Sequence, residues 1–185
     1  MSEYLNIELQ KPNKTEMTRP KPEETVVYFH RYTNLVQDGN IVEILAENHA
    51  KTQEMIKNMP AEKAEYRYAE GKWNIKEVYL HLMDVERIMT YRALRFARND
   101  SSDLLGFNDD EYVFNANAEN RTLADIAEEF QAVRNATIAM VKHFTPEIMD
   151  RTGTANGGRA SVRGLVYILA GHELHHRNIL KERYF

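Results

Sequence analysis

The chain has 185 residues, a net charge of -4 and no cysteine. The length suffices for one domain with its own core, and the charge excludes the basic footprint of a nucleic-acid binder. The lack of thiols leaves histidine and carboxylate side chains to hold any transition metal. Hydrophobic residues make up 43%, which places the chain with globular rather than disordered proteins. The first residues, MSEYLNIELQKP, lack a basic segment followed by an apolar run. The longest apolar stretch, Leu165 to Ala170, is too short to span a bilayer. The expectation is a cytoplasmic protein with neither a membrane nor a nucleic-acid partner.

Residues 1 to about 25 carry three of the five prolines and read as an extended arm, followed by one domain over 26–185. A short helix is predicted over 26–36, with Gly39 ending it. The first long helix runs from about Asn40 to Asn58, with Ile41, Leu45, Thr52, Met55 and Met59 on one face and Pro60 as its stop. The second begins at a capping box, Asn74 with Glu77 three residues on, and continues to about Arg98. Its apolar face holds Ile75, Val78, Leu82, Val85 and Met89. The third starts after Thr122, with Asp125 three residues later, and carries Leu123, Ile126, Phe130, Val133, Thr137, Met140 and Phe144. Thr145-Pro146-Glu147 opens a short helix. Thr152 to Ala160 contains three glycines and reads as a loop, and Ser161 caps a last helix reaching the C-terminus. No segment shows strand alternation. The pattern is all-α, a four-helix bundle. The connection over 99–121 is long for a bundle turn. It can travel back along a helix, so the second and third helices can run parallel with the fourth antiparallel to the second.

The last helix holds Gly171-His172-Glu173-Leu174-His175-His176. Residues four apart on a helix share a face, so His172 and His176 can grip one ion. They also fill the gaps in an inward stripe, Val162, Leu165, Leu169 and Ile179, where a bundle expects apolar residues. Two buried imidazoles cost free energy unless partnered, and a shared metal is a partner. His81 lies on the inward face of the second helix at a matching height if that helix opposes the last one. Three histidines leave a fourth position open, as at catalytic zinc. Imidazole also suits nickel, copper and iron. The H-E-x-x-H spacing matches metalloproteases, but the nine residues after His176 hold no histidine and Glu182, on the same helix, is poorly placed to close the site, which argues against a protease. His175 falls off the stripe and is expected at the rim, and His143 at the end of the third helix. His30 and His49 read as surface or packing residues. Glu173 is a candidate proton acceptor, or else an ordinary salt-bridged glutamate. Asp84 and Glu86 are candidates to receive the second ring N–H of a ligand histidine. Arg92, Arg95 and Arg98 form a basic cluster that could bind an anionic substrate or simply be solvated.

Trp73-Asn74-Ile75-Lys76-Glu77-Val78, His81-Leu82-Met83-Asp84-Val85-Glu86 and Ala170-Gly171-His172-Glu173-Leu174-His175-His176 together resemble the DinB-like superfamily. Within it the resemblance is to the YfiT-like branch of bacillithiol transferases and metal-dependent hydrolases. Residues 91–98 and the Ala155-Asn156-Gly157-Gly158 loop are also similar to that branch. The resemblance spans about residues 20–185. It implies a four-helix bundle with a crossover and a divalent metal, zinc or nickel, on His81, His172 and His176. The implied chemistry is transfer of a low-molecular-weight thiol, itself a cosubstrate, onto an electrophile. Metal-dependent hydrolysis and a non-enzymatic, stress-associated metal-binding module are the alternatives. Flat helical faces allow a homodimer.

Overall fold

The computed structural model describes residues 18–185. The arm expected over 1–25 therefore lies mostly outside the described residues. Its last part, around a 3-10 turn over Pro22–Glu24, packs on the domain: Glu24 accepts from the Ser161 hydroxyl (2.7 Å) and from Arg163 (3.0 Å). A second 3-10 turn, Val27–Phe29, leads into α1, His30–Thr33.

Four long helices follow: α2 (Ile41–Lys57), α3 (Ile75–Ala97), α5 (Leu123–Val141) and α7 (Val162–Arg183). Two short helices lie between them, α4 (Asp109–Phe114) and α6 (Pro146–Met149). Side chains set the long starts. Asn40 accepts from the Val42 amide, Asn74 and Glu77 form a reciprocal capping box, Thr122 and Asp125 form another, and Ser161 accepts from the Gly164 amide. Each cap satisfies amides that the first turn leaves without an internal partner.

Helix directions follow from side-chain pairs. Along α3 and α5, Glu86 meets Arg134 and Thr90 meets Thr137, while the Lys76 ammonium reaches the Arg121 carbonyl just before α5. Residue numbers rise together, so α3 and α5 are parallel, as the long connection suggested. Along α3 and α7, His81 meets His172 and the Tyr184 hydroxyl reaches the Trp73 carbonyl, so these helices are antiparallel. The helix α3 packs on α5 and α7, and α2 packs on the same two. The helices consecutive in sequence, α2 and α3, therefore stand on a diagonal. One apolar cluster fills the end around Ile41, Leu45, Phe96 and Leu169, and another the end around Ile56, Tyr79, Phe130 and Leu180. No helix among the described residues is long and apolar enough to cross a membrane.

One sequence reading is corrected. The expected loop over 152–160 is a β-hairpin, β1 (Thr152–Ala155) paired antiparallel with β2 (Gly158–Ser161). Asn156 and Gly157 both have positive φ, 51° and 70°, which is the backbone a tight two-residue hairpin turn requires. The crossover docks on this hairpin: the Leu104 amide donates to the Thr154 carbonyl (3.1 Å), and the Asn156 amide to the Leu104 carbonyl (2.8 Å).

Candidate metal centre

His81 comes from α3, and His172 and His176 from consecutive turns of α7. The antiparallel α3/α7 pair brings the three together. One ring nitrogen from each lies within 4.8 Å of the others, and the Nε2 atoms of His81 and His172 are 3.1 Å apart. Imidazole nitrogens bound tetrahedrally at about 2.0–2.1 Å from zinc stand about 3.3 Å apart, so this arrangement is close to that of a ligand set. His81 and His172 are buried, and His176 is partly so.

The electrostatics favour the neutral, ligating form of each ring. Burial pushes His81 down to about 4. Burial, then the neighbouring His81 and His175, pushes His176 down to about 2. His172 is held well below its ordinary value by burial and then by His176 and His81. A neutral imidazole offers a nitrogen lone pair that suits a borderline-soft cation, so the residues present fit a divalent metal.

Three further groups surround the rings. Asp109, at the start of α4, brings Oδ1 to 3.7 Å from His81 Nδ1, a charge contact just beyond hydrogen-bond distance. Trp73 packs on His81 with ring centroids 4.6 Å apart, and its indole N–H donates to Asp110 (3.1 Å). Tyr32 stands edge-on to His172 (5.1 Å) and His175 (5.2 Å). Tyr32 reaches that position because residue 171 is glycine: a Cβ there would fall 2.0 Å from the Tyr32 carbonyl oxygen. The small residue lets α1 lie directly on α7.

The structure separates the candidates that the sequence offered. His175 lies partly exposed on the cavity rim, as expected. His143 is exposed just beyond α5, whereas His49 is buried against Phe130 and near Gln53, and His30 approaches the Pro22 carbonyl. Glu173 does not face the rings. Its carboxylate accepts from the Thr52 hydroxyl (2.7 Å) and from Arg134 (2.9 Å), on the opposite side of α7. The candidate proton acceptor is thus committed to an ion pair, because a one-residue step along a helix turns a side chain by about 100°. Glu86 is equally committed to Arg134 (2.8 Å), and Asp84 faces Arg87 on the surface. Both are paired away from the three rings, and the carboxylate that approaches His81 is Asp109. Its signal in the sequence was weak: an Asn108 cap followed by three acids reads as an ordinary helix start.

The rings open onto a cavity of about 610 Å³. Its walls include Val85, Met89, Leu165 and Ile168 along the α3/α7 groove, Tyr28, Phe29 and Tyr32 from the N-terminal segment, and Arg92, Phe107 and the hairpin turn. Arg95 lies outside it, paired with Asp100, and Arg98 is exposed. Of the basic cluster, only Arg92 reaches the cavity.

Residues 44–180 match the family model of the DinB superfamily. The chain belongs to that superfamily. Among solved structures it is similar to YfiT from Bacillus subtilis, described as a probable metal-dependent hydrolase with an unusual four-helix bundle topology. The TM-score is 0.71 at 14% identity, over 89% of this chain and 91% of that one. It is also similar to a DinB-like protein, YjoA, from the same organism, with a TM-score of 0.58 at 19% identity over 78% of this chain and 88% of that one. At such identities the likeness concerns the fold. No curated protein sequence matches the chain significantly.

Proposed function

We propose that the protein is a metal-dependent transferase that holds a divalent metal, zinc or nickel, on His81, His172 and His176 and joins a low-molecular-weight thiol to an electrophile. The observation that carries this reading is three imidazoles, within 4.8 Å of one another and at least partly buried, opening onto a cavity with an apolar middle. A bound divalent metal supplies Lewis acidity, which lowers the pKa of a thiol or a water molecule at neutral pH.

The chain's own residues supply the rest. Asp109 stands beside His81, where a short closure of the 3.7 Å gap would let it receive the ring N–H. Trp73 and Tyr32 pack on the rings and limit water around them. The apolar walls take up the electrophile beside the open position. The thiol gives its proton to solvent, its sulfur pair forms the new C–S bond, and the leaving group departs with its own pair. Thiol chemistry suits a site whose nearest glutamate is already spent on Arg134, because a thiol needs a weaker base than water does.

Metal-dependent hydrolysis is the second reading. Two observations favour it. Asp109 is a carboxylate in the cavity wall beside His81, and YfiT, whose fold this chain shares, is described as a probable metal-dependent hydrolase.

The test is elemental analysis of the purified protein and of H81A, H172A and H176A, with conjugation of monochlorobimane assayed in parallel. Bacillithiol, mycothiol, glutathione and cysteine should be compared as thiols, and esters and amides as hydrolytic substrates. The expected result is metal-dependent conjugation that H81A abolishes. Full metal retention in H172A and H176A would remove the site assignment. Metal-dependent hydrolysis without any thiol would replace the transferase reading.

A further inference from the structure

Arg92 is a buried cation without an anionic partner among the described residues. It is 6% exposed. One guanidinium nitrogen donates to the Leu105 carbonyl (2.9 Å), and another lies 3.7 Å from the Met89 sulfur. No carboxylate among the described residues pairs with it, whereas Arg134 has Glu86 and Glu173 at 2.8 and 2.9 Å. Arg177 is also held by neutral oxygens, those of Asn48, but it does not line the cavity. Burial lowers the Arg92 pKa and nothing opposes it. Arginine nevertheless stays charged in proteins, so the charge is carried at a desolvation cost.

Its position gives that charge a use. Arg92 follows His81 by eleven residues on α3, a rotation within about 20° of three full turns at 100° per residue. Both side chains therefore face the same cavity, about 16 Å apart along the axis at 1.5 Å per residue. Val85 and Met89 of α3 and Leu165 and Ile168 of α7 line the distance between them. A second arginine, Arg159 on β2, lines the cavity with no acidic partner among the described residues; its guanidinium donates to the Thr152 hydroxyl (2.9 Å). The one carboxylate among the described lining residues, Asp109, sits at the histidine end. The groove is thus a metal-ligating end, an apolar middle and a cationic end.

We infer that Arg92 is a specificity-determining residue that binds a carboxylate of the substrate, held about 10–16 Å from the reacting atom by an apolar or extended body. Short thiols such as cysteine cannot span that distance; a long thiol with a remote carboxylate can. This inference rests on the proposed reading only for which end reacts, since anion binding by Arg92 does not require the metal.

The experiment uses the full chain and calorimetry, with linear probes below their micelle concentrations. Decanoate is compared with methyl decanoate on protein stripped of metal. On zinc-loaded protein, 11-mercaptoundecanoate and 3-mercaptopropionate are compared. A charge-assisted contact in a desolvated pocket predicts decanoate binding about tenfold or more tighter than the ester. R92Q should bring that ratio near one, and R92K should keep part of it. R92Q should weaken 11-mercaptoundecanoate by a similar factor and leave 3-mercaptopropionate unchanged.

A purely structural role for Arg92, holding Leu105, would lower the melting temperature of R92Q without moving the acid-to-ester ratio. That outcome overturns the inference, as does a ratio near one in the unaltered protein. If R92Q does not fold, the unaltered protein and R92K still decide through the same ratio. Loss of metal binding or of thiol turnover would defeat the proposed function and leave the metal-free comparison intact.

Discussion

His172 and Glu173 are neighbours on α7, yet they belong to two buried polar clusters built on different principles. On the Glu173 side, Arg134 lies between Glu86 and Glu173 and also donates to the Leu45 carbonyl (2.7 Å), while Thr52 donates to Glu173. The charges there are met by protein groups. On the His172 side, three neutral rings crowd together, and the close polar contact is between two of their own nitrogens. A buried polar group is tolerated when it is hydrogen-bonded. The first cluster meets that condition internally; the second would meet it fully with the metal proposed for it. Burial and polarity alone do not mark a functional site, but the identity of the partners does.

The largest expected effect breaks the complete cluster. Arg134→Met leaves two carboxylates buried without their cation, which costs about 3–5 kcal/mol, measured as a lower midpoint in urea. Glu173→Gln removes one of the two anions and costs about 2 kcal/mol. Zinc content should stay unchanged in Glu173→Gln, and so should any thiol turnover at temperatures where the variant is folded. A loss of turnover with stability intact would return Glu173 to the reaction.

His172→Ala attacks the incomplete cluster and should show the reverse pattern. The metal-free variant should change in stability by about 1–2 kcal/mol. It should lose the thermal shift that zinc gives the parent, roughly 5–10 °C at a hundredfold excess over the dissociation constant. Calorimetric melting with and without zinc separates the two clusters.

Acid should distinguish them as well. The folded state keeps His81 neutral down to about 4 and His176 to about 2, while in the unfolded chain both titrate near the ordinary histidine value. Below that value the unfolded state binds more protons. Stability of the metal-free protein is therefore complete above about pH 6.5 and falls as pH drops toward 4, the folded value of His81. Each such ring contributes a slope of up to about 1.4 kcal/mol per pH unit. His172→Ala should flatten the curve; urea midpoints between pH 7 and 4.5 read it. An unchanged curve would place the rings in solvent.

The smallest effect concerns Asp109. Replacing it with Asn removes the charge beside His81 while keeping the shape, and should weaken metal binding by about tenfold. Competition with a chelator of known affinity measures it.

Most of the bundle was legible because its signals are local. Asn74 with Glu77, Thr122 with Asp125, and Ser161 each start a helix in three or four residues, and the inward stripe of α7 exposes His172 and His176 as anomalies. The long 99–121 connection reported the parallel pair. The hairpin was missed because its strands have four residues each and carry glycine and threonine, too short for alternation to show. The Asn156-Gly157 pair was its one readable mark. The side of α7 that Glu173 faces was not legible, since its partner Arg134 lies 39 positions away. Arg92 stood in a run of arginines, and only the fold shows that it is buried while Arg98 is not. Asp109 needed the crossover to fold back before it could reach His81.

Gly171 carries a consequence for how the protein can diversify. It seats α1 against α7, so Tyr28, Phe29 and Tyr32 form a wall of the cavity although they precede the four-helix bundle. The match to the superfamily model runs over residues 44–180 and contains all three histidines, whereas that wall comes from the segment before it. The three histidines and this wall are therefore encoded in separate stretches of chain. Substitutions at Tyr28, Phe29 or Tyr32 would reshape the groove while the histidines, their helices and the buried Arg134 cluster stay as they are.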